Sequence, residues 1–423
     1  MNEFTLIFLL MLGAGTALKV WLAGRQIRHV LRHRDRVPVP FAAKVSVDMH
    51  RKAADYTVAK TRLGLVELAL GVGVLLVWTV GGGLDGLDQA WRALGLNPLL
   101  TGTMVIVSVF SIHALIDLPL SIYQSFVLEQ RFGFNRMTPA LFASDLVKTL
   151  LLSLLIGLPF IGVVLWLMQI SGALWWLYVW LVWTAFTLAM LWAYPAFIAP
   201  LFNRFTPLTD QDLKARIEAL LTRCGFTSRG VYVMDGSRRS GHGNAYFTGV
   251  GNNKRIVFFD TLLDALDGNQ IEAVLAHELG HFRRQHVRKH LLLMTAVSLA
   301  GLALLGWLIE QPWFFYGLGV STPSNHVALL LFLFIVPVFT VFLHPLGAYL
   351  SRRHEFEADE YAVQQSNPGY LIQALVRLYR DNASTLTPDP LYSAFYDSHP
   401  PASIRVAHLQ SLQARQATRE VTA

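Results

Sequence analysis

Cysteine and charged residues are both scarce in this 423-residue sequence. The single cysteine, Cys224, excludes a disulfide within the chain and a zinc site built on several thiolates. Charged residues make up 15% of the sequence, whereas a soluble globular protein has about 25%. Hydrophobic residues account for 53%. The composition therefore predicts a protein that lies largely in lipid.

Internal repeats, low-complexity segments and a recognisable nucleic-acid-binding module are also missing from the sequence. The formal net charge is +7, but the basic residues follow no nucleic-acid-binding pattern. We therefore interpret this charge as loop charge that sets the orientation of a membrane protein, and we predict no nucleic-acid partner.

Seven runs of apolar residues are long enough to cross a membrane, which takes about 20 residues. They cover residues 4–23, 63–80, 103–123, 146–168, 173–198, 291–309 and 328–350. The first run is not typical of a signal peptide, because no basic region precedes it and a basic loop follows it. The sequence predicts an α-helical, multi-pass integral membrane protein with seven transmembrane helices.

Lysine and arginine are distributed unequally between the loops. Residues 25–62 contain ten of them, residues 81–102 contain one, and residues 310–327 contain none. Because basic loops stay in the cytoplasm, the N-terminus is predicted to lie outside. Seven crossings then place the C-terminus and the large polar region 200–290 on the cytoplasmic side.

Four regions follow from these runs: helices one to five with their loops (1–199), a polar unit (200–290), helices six and seven (291–350) and a polar helical region (351–423). Residues 200–290 read as a small α+β unit. A capping-box-like start at Thr209 predicts a helix to about Arg223. Strands are predicted at 231–235, 244–249 and 254–260, with a hairpin turn at 249–253, and a helix is predicted from about Gln270.

The sequence His277-Glu278-Leu279-Gly280-His281 has the HExxH pattern. On a helix, residues four apart share one face, so both imidazoles can bind one zinc ion. Glu278 is then placed to accept a proton from water at the metal. The alternative is a helix with two surface histidines that bind nothing. Apolar neighbours on the same helix favour the buried metal site.

Catalytic zinc needs a third protein ligand and an open fourth position. A metzincin site is excluded, because Arg284 and Val287 replace its glycine and third histidine. We interpret His286 and His290 as part of a basic cluster near the membrane surface.

Glu355 is the better candidate for the third ligand. Asp359 lies four residues further along the same predicted helix, where it can accept a hydrogen bond from His277. The alternative is a charged helix end with Arg–Glu pairs.

Several motifs resemble those of one family over nearly the whole chain. They are RKAADYTVAKTRLGL (51–65), EQRFGFNRMT (129–138), YPAFIAPLFNRFTPL (194–208), NAYFTG (244–249), KRIVFFDTLL (254–263), HELGH (277–281), EFEAD (355–359) and YDSHPPASIR (396–405). The chain resembles the type I integral-membrane CAAX prenyl proteases, which are gluzincin zinc metalloendopeptidases. This resemblance implies seven helices that enclose a water-filled chamber, capped by a small α+β zinc-protease domain with one zinc per chain.

The resemblance also implies further site residues. His399 and Arg405 would stabilise the oxyanion that forms during peptide hydrolysis. The segment Asn244-Ala245-Tyr246 would form an edge strand to which a peptide substrate adds by backbone hydrogen bonds. On the residues alone, His399 reads as a turn histidine before two prolines, and residues 244–246 read as an ordinary hairpin strand.

The favoured function is that of a membrane zinc endopeptidase, and the resemblance implies cleavage near the C-terminus of prenylated proteins. The expected partners are a peptide or lipidated-protein substrate and membrane lipid. One alternative is a quality-control protease for membrane proteins without prenylated substrates. Another is a chambered protein that binds or transports a lipidated or amphipathic ligand and carries a structural zinc.

Overall fold

The long apolar runs all form helices. The computed structural model describes residues 2–228, 230–248 and 255–422. Within these residues, seven helices are long and apolar enough to cross a membrane, which confirms the predicted number. They span Glu3–Arg32, Val47–Trp78, Pro98–Glu129, Pro139–Ile170, Gly172–Phe202, His286–Leu308 and Asn325–Gln365.

The first two membrane helices extend beyond their apolar runs. Helix α1 (Glu3–Arg32) continues past residue 23, and α2 (Val47–Trp78) begins well before residue 63. The Ser46 hydroxyl caps α2 by accepting a hydrogen bond from the Met49 N–H at 3.2 Å. The added turns are rich in arginine and lysine, which are good helix formers, so the helices continue into polar surroundings.

Six further helices and three π-helical turns complete the described first half of the chain. The helices are α3 (Gly83–Arg92), α4 (Pro98–Tyr123), α5 (Pro139–Leu152), α6 (Leu158–Ile170), α7 (Trp175–Ala193) and α8 (Ala199–Phe202). The π-helical turns are Gln124–Glu129, Ser153–Gly157 and Tyr194–Ile198. Each adds a residue to one helical turn and so rotates the side chains that follow it.

An apolar core closes one end of the membrane helices. It includes the fully buried side chains of Phe8, Val105, Leu305, Phe314 and Leu331. This core includes residues of α3 and of the short helix Pro312–Gly317. It lies at the end where the loops contain little or no lysine and arginine.

A cavity of about 1160 Å³ lies towards the opposite end, between α1, α2 and the C-terminal part of the chain. Polar side chains of the membrane helices line it, among them Lys19, Thr57 and Lys60. A cavity of this size holds on the order of tens of water molecules. The expected chamber is therefore present, and the intramembrane Lys19 faces it.

The polar unit contains a mixed sheet that confirms the predicted strands. The described residues form four strands: β1 (Phe205–Pro207), β2 (Val231–Met234), β3 (Ala245–Thr248) and β4 (Arg255–Phe259). Their order is β1-β2-β4-β3, with β2 and β4 parallel and β3 antiparallel to β4. β1 is too short to have been predicted. The predicted turn at 249–253 lies outside the described residues.

Helices cover this sheet and connect it to the membrane. They are α9 (Gln211–Arg223), α10 (Asp260–Ala265) and α11 (Gly268–Arg283), followed by the membrane helix α12 (His286–Leu308) and α13 (Pro312–Gly317). Asp210 caps α9 by accepting a hydrogen bond from the Leu213 N–H at 3.0 Å. Buried side chains of α9, β4 and α11, such as Ile217, Phe258 and Leu275, form one core.

The last membrane span does not end at residue 350, where its apolar run ends. It consists of α14 (Asn325–Thr340) and α15 (His344–Gln365), joined by a short 3-10 turn. The chain ends with α16 (Pro368–Asp381), α17 (Pro390–Tyr396) and α18 (Ala402–Thr422). Because α15 leaves the membrane part without a break, it carries residues 351–359 directly onto the polar unit.

Candidate active site

Helix α11 presents both histidines of the HExxH pattern on one face. A capping box starts the helix: the Asp267 carboxylate accepts the Gln270 N–H at 3.0 Å, and the Gln270 side chain accepts the Asp267 N–H at 3.3 Å. His277 and His281 lie one turn apart, and their Nε2 atoms are 3.2 Å from each other.

Helix α15 brings Glu355 to these two histidines. The carboxylate oxygens lie 3.5 Å from His277 Nε2 and 3.3 Å from His281 Nε2. The two helices can approach this closely because Gly280 faces α15. A Cβ atom at Gly280 would lie 2.9 Å from the backbone of Ala358.

The donor atoms of these three side chains fit a metal ion. They lie within 4.8 Å of one another. A tetrahedral site with bonds of about 2.0–2.1 Å needs ligand atoms about 3.3–3.4 Å apart, close to the distances found here. Glu355 Oε2 is also buried without a hydrogen-bond partner among the described residues. Its ion-pair partner Arg405 lies 3.3 Å away without forming a hydrogen bond, so the carboxylate keeps a lone pair that can bind a metal ion.

Two buried charged residues hold the donor set from behind. Asp359 Oδ1 lies 2.9 Å from His277 Nδ1, so the sequence-predicted partner of this histidine is in place. Arg405 donates two hydrogen bonds to Asp359, at 2.8 and 2.7 Å, and lies 3.3 Å from Glu355 Oε2. Arg405 is 5% exposed and its Nη2 also lies 3.0 Å from the ring nitrogens of His277, so it acts on the site from behind the donor set.

The contacts among His277, Asp359, Glu355 and Arg405 also shift the pKa values of His277 and Arg405. Burial and Arg405 lower the pKa of His277, but hydrogen bonds to Asp359 and Glu355 outweigh both, so its pKa lies above the usual histidine value. Burial likewise lowers the pKa of Arg405, but the Asp359 carboxylate raises it further, and Arg405 stays charged.

His399 lies on the accessible side of the site. His399 Nε2 is 3.5 Å from Glu355 Oε1, and the His399 side chain is 63% exposed at the wall of the cavity. Ser398 Oγ lies 3.0 Å from His399 Nδ1. Glu278 is half-buried and follows His277 directly on α11.

Arg352 positions the loop that carries His399, a role that the sequence analysis missed. Its guanidinium donates hydrogen bonds to the carbonyl groups of Ser393 (3.2 Å), Ala394 (3.2 Å) and Asp397 (2.8 Å). One helix, α15, therefore supplies Glu355 and also fixes the segment that precedes His399. Only the proximity of Arg352 to Glu355 in the sequence could have indicated this.

The segment Asn244–Tyr246 begins β3, which is the last strand in the sheet order. The Asn244 carbonyl accepts a hydrogen bond from the Phe259 N–H at 3.0 Å, which fixes β3 to β4. Asn244 lines the same cavity as His399 and Arg405. Asn244, at the start of the predicted edge strand, therefore shares a cavity wall with His399 and Arg405.

His286 begins the sixth membrane helix, as a position near the membrane surface requires, but its assignment to a basic cluster is wrong. His286 is 4% exposed, and its Nδ1 lies 3.0 Å from Nδ1 of His281. Its Nε2 lies 3.1 Å from Glu357. The reason is the positive φ of 56° at Gln285, which ends one helix and starts the next in a new direction. His290, by contrast, is exposed.

Two family models match consecutive parts of the chain. Residues 26–204 match the family described as CAAX prenyl protease N-terminal, five membrane helices. Residues 207–413 match peptidase family M48, and this segment includes every site residue described above.

Curated proteins and a solved structure are similar over most of the chain. A CAAX prenyl protease 1 homolog of Caenorhabditis elegans is 30% identical over 97% of this chain and 98% of its own length. CAAX prenyl protease 1 of Saccharomyces cerevisiae is 37% identical over 71% of this chain and 70% of its own. The crystal structure of S. mikatae Ste24p superposes with a TM-score of 0.89 at 28% identity, covering 97% of this chain and 99% of that one.

Proposed function

We propose that the metal of this site is zinc. The chain belongs to peptidase family M48 and is a multi-pass membrane metalloendopeptidase of the CAAX prenyl protease type, and the proposal starts from that membership. One zinc per chain would be held by His277, His281 and Glu355. Two imidazoles and one carboxylate, with a fourth position open, are typical of catalytic zinc. The observation that carries this proposal is the meeting of three donor atoms from α11 and α15 within 4.8 Å.

The surrounding side chains can assist the hydrolysis of a peptide bond by water once a metal is bound. Bound zinc supplies a Lewis acid that acidifies water and polarises the scissile carbonyl. Glu278 accepts a proton from the attacking water as the water oxygen bonds to the carbonyl carbon. Glu278 then donates this proton to the leaving nitrogen as the C–N bond breaks, so the products are a peptide acid and an amine, and the Glu278 carboxylate is restored.

His399 and Arg405 have different roles in this proposal. His399 projects into the cavity beside Glu355, where its Nε2–H can donate to the oxygen of the scissile carbonyl as negative charge develops there. Arg405 is buried against Asp359 and Glu355. It is therefore a positioning residue, and it affects the developing oxyanion only through the ligands that it holds.

The substrate is proposed to be a peptide that pairs with β3. Because β3 ends the sheet order, its free edge can form backbone hydrogen bonds with an extended chain. The cavity extends from Asn244 and His399 to Lys19 and Lys60 on the membrane helices, so a chain bound at the site can continue between those helices. Relatives named CAAX prenyl protease 1 support a substrate that is prenylated near its C-terminus.

The N-terminus is proposed to lie outside and the zinc site and C-terminus on the cytoplasmic side. The Lys/Arg distribution between loops supports this orientation. The four regions of the chain are proposed to form two parts. Residues 1–199 and 291–350 would form the membrane part and the chamber, while 200–290 and 351–423 would form the protease part.

Mass spectrometry of peptides cleaved by the purified chain tests the substrate. The same C-terminal peptide is offered with and without a prenyl group on its cysteine. We expect zinc-dependent cleavage near the C-terminus, with the prenylated peptide turned over more efficiently. Equal cleavage of both peptides would contradict the prenyl specificity and favour broader membrane-associated substrates. Cleavage that persists in metal-free protein would contradict the zinc mechanism itself.

A further inference from the structure

The two ligand histidines have unlike partners behind them. The distal nitrogen of His277 faces Asp359, a carboxylate that is itself paired with Arg405. The distal nitrogen of His281 faces another imidazole, that of His286, at 3.0 Å. The mechanism proposed above uses neither His286 nor Glu357.

The ligand role of His281 determines where the hydrogens lie. Its Nε2 faces the other two donors, at 3.2 and 3.3 Å, so this nitrogen must be free of hydrogen to bind a metal. Nδ1 of the neutral ring then carries the hydrogen and donates it to Nδ1 of His286. His286 consequently carries its own hydrogen on Nε2, which lies 3.1 Å from the Glu357 carboxylate.

His281, His286 and Glu357 form a row in which each N–H hydrogen has one donor and one acceptor. The opposite direction, with His286 donating to His281, would put a hydrogen on His281 Nε2 and remove its metal-binding lone pair. The row of His281, His286 and Glu357 therefore selects the tautomer of His281 that can bind a metal.

The backbone is strained to form this contact. On an uninterrupted helix, residues five apart do not face each other. Here α11 ends at Arg283, Gln285 adopts φ 56° and ψ 33°, and α12 begins at His286. A left-handed conformation at a residue other than glycine is strained and persists where the surroundings enforce it.

A second ring and a second helix hold His286 in place. The His354 ring stacks on it with a centroid distance of 4.0 Å and an interplanar angle of 12°. His354 and Glu357 both belong to α15, the helix that carries Glu355. His286 is thus enclosed between α11 and α15, although it is the first residue of a membrane span.

We propose that His286 and Glu357 are positioning residues of the metal centre, which hold His281 in its metal-binding tautomer and orientation and connect it to the first turn of the sixth membrane helix. The proposal rests on the proposed function, because it requires His281 to be a ligand. Outer partners of metal-bound histidines typically contribute about 10–100-fold to metal affinity or activity.

The test measures zinc affinity of the full-length purified chain by competition with a chelator, together with kcat and KM. His286→Phe keeps a ring against His354 but removes both nitrogens, and we expect zinc affinity to fall about 10–100-fold. Glu357→Leu should lower zinc affinity less, because it acts through His286. Glu357→Gln retains an acceptor oxygen for His286 Nε2–H and should restore most of the loss.

Two further comparisons isolate the effect of the row formed by His281, His286 and Glu357. Arg353→Gln removes the exposed ion pair that Glu357 makes at 3.3 Å, and zinc affinity should stay within about twofold of wild type. His286→Phe combined with Glu357→Leu should bind zinc no more weakly than His286→Phe alone, since the two residues act in series. KM should change less than kcat, because the peptide-binding edge is untouched.

Distinct outcomes separate this proposal from the zinc mechanism. If His281→Ala retains zinc and activity, the proposed function fails. If His281→Ala loses zinc while folded His286→Phe binds zinc within threefold of wild type, only the positioning role of His286 and Glu357 is overturned. Should His286→Phe fail to fold, the Glu357 pair decides: equal zinc affinity for Glu357→Leu and Glu357→Gln contradicts the proposal.

Discussion

Arg405 and Asp359 form a two-point ion pair beneath His277 and Glu355, with nitrogen–oxygen distances of 2.8 and 2.7 Å. Both side chains are buried, at 6% and 0% exposure. The pair joins α18 to α15, and its carboxylate also faces His277 at 2.9 Å. The last described helix is therefore connected to His277 on α11 through Arg405 and Asp359.

Arg405→Ala should destabilise the fold as well as the site. It leaves Asp359 and Glu355 buried without the guanidinium that pairs with both, and breaking a buried pair in this way costs about 3–5 kcal/mol. We expect a clear drop in melting temperature of the metal-free protein. Arg238→Ala is the control, because its ion pair with Asp235 is largely exposed and should contribute less than about 1 kcal/mol. Equal melting temperatures for the two variants would show that the buried pair is dispensable.

Variants of Glu278 and Glu355 should distinguish the loss of proton transfer from the loss of zinc binding. Glu278→Gln keeps the size of the side chain but not the base, so zinc content should be normal while kcat falls by about 10²–10⁴-fold. Glu355→Ala should lose zinc together with activity. Chelation of the wild-type enzyme should abolish turnover, and added zinc should restore it. Normal zinc content and activity in Glu355→Ala would show that another residue is the third ligand.

Gly280→Ala should separate the two helices that form the site. The new methyl group would lie 2.9 Å from the backbone of Ala358, so α15 must move and take Glu355 with it. We expect a stability loss of about 1–3 kcal/mol and weaker zinc binding. Gly347→Ala on α15 is the control, because a Cβ there meets no described atom within 4 Å. If both variants bind zinc as the wild type does, close packing at Gly280 is not what sets the ligand spacing.

Local periodicity explains which parts of this site the sequence could predict. His277 and His281 follow from helix geometry alone, and the resemblance to a known family extends the set to His399 and Arg405. The seven spans follow from hydropathy. His286 was misplaced because its position depends on one strained residue, Gln285, and on the helix packed against it. No periodic pattern reports such a tertiary contact.

Cysteine labelling should establish the orientation of the chain. The single cysteine, Cys224, is first replaced by alanine, and one new cysteine is introduced at exposed Thr322 or Gln410. A membrane-impermeant maleimide applied to intact cells should label the Thr322→Cys variant, which lies in the loop without lysine or arginine. The Gln410→Cys variant should react only after the membrane is opened. The reverse pattern would overturn the proposed orientation.

His399→Ala distinguishes an oxyanion donor from a turn residue. An oxyanion donor acts only when charge develops on the scissile carbonyl, so its loss should lower kcat by about 10²–10³-fold. Zinc content and substrate binding should change little, because His399 is largely exposed at the wall of the cavity. Its contact with Ser398 at 3.0 Å orients the ring, so Ser398→Ala should have a smaller effect of the same kind.

A purely structural His399 predicts a different pattern. The residue precedes Pro400 and Pro401, and Arg352 fixes the loop through the Asp397 carbonyl at 2.8 Å. If His399 served only to stabilise this loop, His399→Ala would lower the melting temperature and leave kcat nearly normal in the folded protein. Since Arg352 already holds the loop, we expect the melting temperature to remain close to wild type. Measuring zinc content, melting temperature and kcat on the same preparations decides between the two roles, because only the catalytic role lowers kcat while the other two quantities stay constant.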